Sequence, residues 1–260
     1  MFVSYKTSVI ATIVWPVPIL ALNIYQYLGL ASQDQVESIL QAPQYGVSSL
    51  HGMVIVGTIV YLLYNKLLWG TGASLQSERW MGTIEALLLT PANRLVILFS
   101  FGFVSLIEGS WWIAGVFVLS WGIFGISPQA SSWGAVALAF TSTMIALIAV
   151  GVFFASFFIL TRAADQFATG LQAPIRYFSG VAFPVNAIGV QALQAVAYIF
   201  PITYGIQSLR RTLLSNGSLE SILPDVGLLY VFTVILVALA YVLLKKVERR
   251  AKRDGSLYKI

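Results

Sequence analysis

The most chemically loaded feature of the sequence is a carboxylate inside an uninterrupted apolar stretch: Glu108 stands about 14 residues, or ~21 Å of helix, beyond Arg94. An acid at the centre of a membrane helix costs about 2.5 to 3.5 kcal/mol on insertion scales, so it must face protein, carry a proton or meet a cation. Arg176, about 11 residues or ~16 Å past Asp165, reaches a comparable depth, and Glu108 and Arg176 are predicted to pair. The competing reading is a neutral or snorkelling Glu108 at a helix contact, with no role beyond packing. Other chemistry is sparse. The lone histidine, His51, stands near the outer end of an apolar run and reads as an interfacial polar residue, not a ligand. No acids cluster at metal-ligand spacing, and no phosphate-binding G-x-x-x-x-G-K-[ST] loop, nucleophile elbow or HExxH pair occurs in the 260 residues. The sequence thus offers no catalytic residue, metal site or cofactor site.

The elements that must position these charges follow from composition. Hydrophobic residues make up 58% of the chain and charged ones 10%, against about a quarter charged in soluble domains. Mean hydropathy is +0.84. A bilayer core of about 30 Å needs roughly 20 apolar residues per helix, so about six spans and short loops use up the chain as one domain, residues 1–260. The net charge of +5 does not point to nucleic acid. The basic residues crowd beside the last apolar run, where membrane topology and anionic lipid account for them. Cysteine is absent, which excludes disulfides and thiolate metal sites.

The first apolar run, about Val9 to Leu30, contains Pro16 and Pro18 and is too long for an ordinary signal peptide, so it reads as a retained span. The polar stretch after it holds Asp34 and Glu37 without Lys or Arg and faces outward. A second run covers Leu50 to Trp69, and Lys66, Arg79 and Arg94 then mark a cytoplasmic loop. The third run, Leu95 to Phe124, and the fourth, Gly134 to Leu160, flank an uncharged loop, and Arg162 marks the return to the cytoplasm. From Phe167 to Leu214 the apolar pattern is punctuated by Pro174, Gly180, Pro184, Gly189 and Pro201, which predicts a span followed by a broken, partly re-entrant segment. The last span, Val226 to Leu244, is followed by Lys245, Lys246, Arg249, Arg250, Lys252, Arg253 and Lys259. Both ends are therefore predicted to be cytoplasmic, and only Arg210 and Arg211 among the basic residues fall on the outer side.

The loop after the second span carries an amphipathic code. On a helix over Ser77–Thr90, Trp80, Met81, Ile84, Leu87 and Leu88 share an arc of about 120°, while Glu78, Arg79, Gly82, Thr83 and Glu85 oppose them. Thr90-Pro91 supplies the stop. Such a helix lies across the membrane surface, either merely joining two spans or presenting Glu78 and Glu85 to a soluble partner. Gly82 in its interior would cost about 0.5 to 1 kcal/mol relative to alanine, a cost that suits close approach of another backbone.

The run Glu78-Arg79-Trp80-Met81-Gly82-Thr83-Ile84-Glu85-Ala86-Leu87-Leu88-Leu89-Thr90-Pro91 resembles the acidic, Gly-Thr-hydrophobic-Glu, Leu-rich, Pro-terminated signature after the second span in permease subunits of type-2 ABC exporters. The stretch with Phe183-Pro184, Ala192-Leu193-Gln194, Phe200-Pro201-Ile202-Thr203-Tyr204-Gly205 and Leu209-Arg210 is similar to that family's segment between spans five and six. The sequence departs from the family where Trp80 replaces a common acidic residue and Gly189 a common proline.

The resemblance implies an all-α membrane protein of six spans, a coupling helix between spans 2 and 3, and re-entrant helices between spans 5 and 6. It implies that Glu78, Arg79, Gly82, Thr83, Glu85 and Pro91 couple to ABC ATPase subunits that hold ATP and Mg. It also implies an outer gate around Pro184, Gly189 and Pro201, a second permease copy or similar chain, and a hydrophobic or amphipathic substrate. The expected location is the plasma, or cell inner, membrane. Two other classes compete. A self-contained secondary transporter or channel would use Glu108 as an ion or proton site, but the two related halves common in that class are not visible. An enzyme acting on lipid would need a polar catalytic set that the sequence lacks.

Overall fold

The structure is a computed structural model. It describes residues 50–72, 92–124, 132–160, 164–181, 183–187 and 190–254 as continuous stretches, with Pro18, Leu22, Ser74, Glu78, 81–83, Thr90 and Ala130 as shorter pieces. Each long apolar run among the described residues becomes helical, because only internal hydrogen bonding satisfies a backbone placed in lipid. The described helices are α1 (Leu50–Gly72), α2 (Arg94–Phe124), α3 (Trp133–Leu160), α4 (Ala164–Phe178), α5 (Gln191–Ala197), α6 (Pro201–Leu214) and α7 (Leu219–Asp254), with one turn of 3-10 helix over Val185–Ala187 before α5. No strand occurs among the described residues.

Four of these helices are long and apolar enough to cross a membrane: His51–Gly72, Arg94–Val118, Trp133–Phe158 and Leu219–Val247. Of the first predicted span only Pro18 and Leu22 are described, both helical, and the rest lies outside the described residues. Of the predicted fifth span, α4 accounts for 15 described residues, about 22 Å of helix, and residues 161–163 before it lie outside the described residues. The last helix is longer than expected, because the residues before Val226 and the basic residues after Leu244 belong to the same helix.

Local chemistry sets the starts. Asn93 Oδ1 accepts the Leu95 amide at 3.0 Å and so caps α2. Ser132 Oγ accepts the Ala135 amide at 3.3 Å at the start of α3. Pro201 occupies the first turn of α6, where its missing amide hydrogen costs no helical bond.

The core lies along α1 and α3, where Met53, Leu63, Leu67, Leu68 and Leu147 are at most 2% exposed. α2 and α7 flank this pair and keep broad apolar faces: Ile107, Trp111, Val118, Val234 and Val242 are all at least 60% exposed. Such faces suit lipid and subunit contacts, not water. An open cleft of about 350 Å³ is lined by Thr90, Asn93 and Arg94 from the start of α2 and by Tyr241, Leu244 and Lys245 from the end of α7. The basic ends of two predicted spans therefore lie at one end of the bundle, as the charge pattern requires. Arg211 and Asp225 tie α6 to α7, Nη1 to Oδ2 2.7 Å.

Candidate functional site

Three places in the bundle gather the polar residues singled out by the sequence. The first is the turn after α1. Glu78 is helical, but Met81 and Gly82 form a turn and Thr83 has left the helix, so the chain does not form one unbroken helix over Ser77–Thr90. Gly82 takes φ +72. The Thr83 amide donates to the Glu78 carbonyl at 3.0 Å, the closing bond of a glycine-terminated helix. The Thr83 hydroxyl also donates to that carbonyl, at 3.2 Å, and to the Glu78 carboxylate.

Gly82 therefore ends a helix instead of standing in the interior of one: its positive φ is what calls for glycine, and among the described residues no heavy atom lies within 4 Å of where a Cβ would stand. The turn is exposed, and Met81 shows 63% of its surface. Arg79, Glu85 and Pro91 lie outside the described residues, so of the predicted coupling set the structure brings together Glu78, Gly82 and Thr83.

The second place is at membrane depth. Glu108 does pair, but with Lys66: Nζ to Oε2 is 2.7 Å. The predicted partner, Arg176, stands on α4, and its guanidinium lies over the Tyr177 ring at 5.9 Å from the centroid. The physical reason is the length of α1. It runs on to Gly72, so Lys66 sits within a span instead of in the loop after it. Buried Gly109 then admits the lysine stem beside α2. Neither side chain is sealed: 30% of Lys66 and 38% of Glu108 remain exposed. His51 begins the same span, at the opposite end of α1 from Gly72.

The third place is the Leu50 end of the bundle, where the predicted breaks fall. Gly180 turns the chain with φ +83 after α4, Pro184 is buried, and Pro201 opens α6. Gly189 lies outside the described residues. The residue that organises this region was not singled out as a site. Arg210, on α6, is 7% exposed. Its Nε and Nη2 donate to the Met53 carbonyl of α1 at 3.2 and 2.8 Å, and Nη2 also donates to the Val181 carbonyl at 3.1 Å. One arginine thus joins α1, α6 and the break after α4.

Gly57 makes that junction possible. A Cβ there would stand 2.2 Å from the Val181 carbonyl oxygen and 2.7 Å from Arg210 Nη2. The signal for Arg210 was present in the sequence, since Arg210 and Arg211 are the two basic residues predicted for the outer side.

Long apolar helices, an ion pair between two of them and broken segments held by a buried arginine define a multi-pass helical membrane protein. A family model described as "ABC-2 type transporter" matches residues 3–214, so the chain belongs to the ABC-2 type transporter family as a membrane permease. The match ends before α7, the least buried of the candidate spans among the described residues. A search of curated proteins gave no match.

Two outcomes are expected. Gly82→Ala forces an L-residue into a left-handed conformation worth about 1 to 2 kcal/mol, so the Thr83 amide should exchange hydrogen about tenfold faster or more; unchanged exchange would refute the turn. Gly57→Ala should destabilise the protein by about 1 to 3 kcal/mol in detergent melts. Gly227→Ala, where a Cβ meets nothing within 4 Å, is the control, and equal melting of the two variants would contradict the packing at Arg210.

Proposed function

We propose that the chain is the membrane subunit of an ATP-driven exporter, in which two copies, or one copy and a similar chain, enclose a pathway and two separate ATPase subunits bind beneath it. The observation that carries this reading is the family match over residues 3–214, which spans α1 to α6 and includes the Glu78–Thr83 turn. In this reading the bundle has six spans in the cell inner membrane, with both termini in the cytoplasm, and the first span lies within residues 9–30.

The Glu78–Thr83 turn then faces an ATPase subunit. A glycine-closed helix end, stiffened by the Thr83 bonds to Glu78, can pass on a push that a flexible loop would absorb. The segment from Gly180 to Pro201 forms the outer gate, with Arg210 holding it to α1. ATP hydrolysis takes place on the partner chain, and this chain contributes alternating exposure of the pathway. The rival reading, a proton- or ion-coupled transporter centred on Glu108, has to free that carboxylate from Lys66, which holds it at 2.7 Å.

The test is affinity purification from native membranes. A soluble subunit carrying a G-x-x-x-x-G-K-[ST] loop should come down with the wild type. Gly82→Trp should leave the chain inserted and lower transport per ATP hydrolysed by about tenfold or more, because an indole at positive φ cannot keep the turn. Purification without such a subunit, together with transport that an ion gradient alone sustains, would favour the rival reading.

A further inference from the structure

We propose that the cleft between the start of α2 and the end of α7 holds the phosphate head group of an anionic phospholipid, with Lys245 supplying the attracting charge. The inference needs the membrane setting and no ATPase partner, so it goes beyond the permease reading.

The cleft spans about 350 Å³, within the range of small-molecule sites. Lys245 lines its α7 wall, and the ammonium stands over the Tyr241 ring, 5.7 Å from the centroid. A ring in that position holds the lysine without cancelling its charge. Among the described residues Lys245 joins no ion pair. On the opposite wall Asn93 spends its Oδ1 on the Leu95 amide, which leaves Nδ2 to donate to a ligand oxygen. Arg94 lines the same wall but is engaged within the protein, so the anion is assigned to Lys245 and Asn93.

The surrounding charge favours an anion. Residues 245–253, all on α7, carry six basic side chains and one acid, Glu248. A head group with net negative charge gains from that field, and a zwitterionic one gains less.

What borders the cleft selects a lipid over a soluble phosphate. On α2 the lining residue Leu95 is followed by Val96, and on α7 the lining residue Tyr241 is followed by Val242; both valines are 60% exposed. Leu239 and Ile235 extend the exposed apolar surface along α7. The polar recess thus opens onto two apolar helix faces, which match a molecule with an anionic head and acyl chains. A soluble phosphate would fill the recess and leave those faces uncovered. Basic pockets between membrane helices take lipid head groups in this way.

Native mass spectrometry of the purified full-length chain in detergent, titrated with phosphatidylglycerol or phosphatidylcholine, reads the site. Phosphatidylglycerol should bind about fivefold more tightly, the effect of one lysine near an anionic surface. Lys245→Gln should weaken phosphatidylglycerol binding about fivefold and remove the preference. Lys246→Gln deletes the same charge from a residue outside the lining and should change binding by less than about twofold. Ala92→Trp fills the cleft with every charge kept and should weaken phosphatidylglycerol binding at least as much as Lys245→Gln. Lys245 and Ala92 are both exposed, so neither change disturbs the core, and each covers the case in which the other fails to fold.

Inorganic phosphate at millimolar concentration should leave the lipid bound. Equal affinity for the two lipids, equal losses in the Lys245 and Lys246 variants, or undiminished binding in Ala92→Trp overturns the proposal. Displacement by inorganic phosphate assigns the cleft to a soluble phosphate and overturns the lipid. The titration uses neither ATP nor an ATPase, so its failure leaves the permease reading standing, and loss of ATPase co-purification leaves the lipid result standing.

Discussion

A carbonyl in the first turn of α1 accepts two hydrogen bonds from a guanidinium more than 150 residues further along the chain: Met53 and Arg210 are joined in this way, and Val181 accepts a third. Much of the architecture at that end answers to this junction. A buried guanidinium cannot be left without acceptors, so the carbonyls of a helix and of a chain break have to be brought to it. Gly57 is small because a methyl group would fill the space that the junction occupies. The break after α4, with Gly180 at positive φ, presents the Val181 carbonyl that a continuous helix would have spent on its own ladder.

The same rule, that charge at membrane depth must be answered by protein, produces a different result near the other end of α1. There Lys66 and Glu108 answer each other across two spans, but the surface around them stays partly open. The arginine is sealed among carbonyls, whereas the ion pair is not sealed. Arg210 is 7% exposed, against 30% and 38% for the side chains of Lys66 and Glu108.

Much of the fold was legible in the sequence because hydropathy and the positions of Lys and Arg are long-range averages that single residues do not upset. The runs from Leu50, Leu95 and Gly134 became α1, α2 and α3 within a few residues, and Gly180 and Pro201 fell at breaks as their backbone chemistry requires. The errors were local. Periodicity over Ser77–Thr90 fits one helix, but it cannot register that Gly82 ends the helix by adopting a positive φ instead of continuing it. Depth counted in residues brought Glu108 and Arg176 level, yet it says nothing of which helix lies between them, and Lys66 was nearer. Pro174 was read as an interruption and lies within α4.

The permease proposal stands or falls on whether the Glu78–Thr83 turn seats on a separate ATPase. Thr83→Cys places a single thiol there in a chain without other cysteines, and a short bifunctional crosslinker applied to native membranes reads its neighbour directly. The expected result is an adduct whose second component carries a G-x-x-x-x-G-K-[ST] phosphate-binding loop. A folded, transporting Thr83→Cys protein that forms no adduct with such a subunit would contradict it.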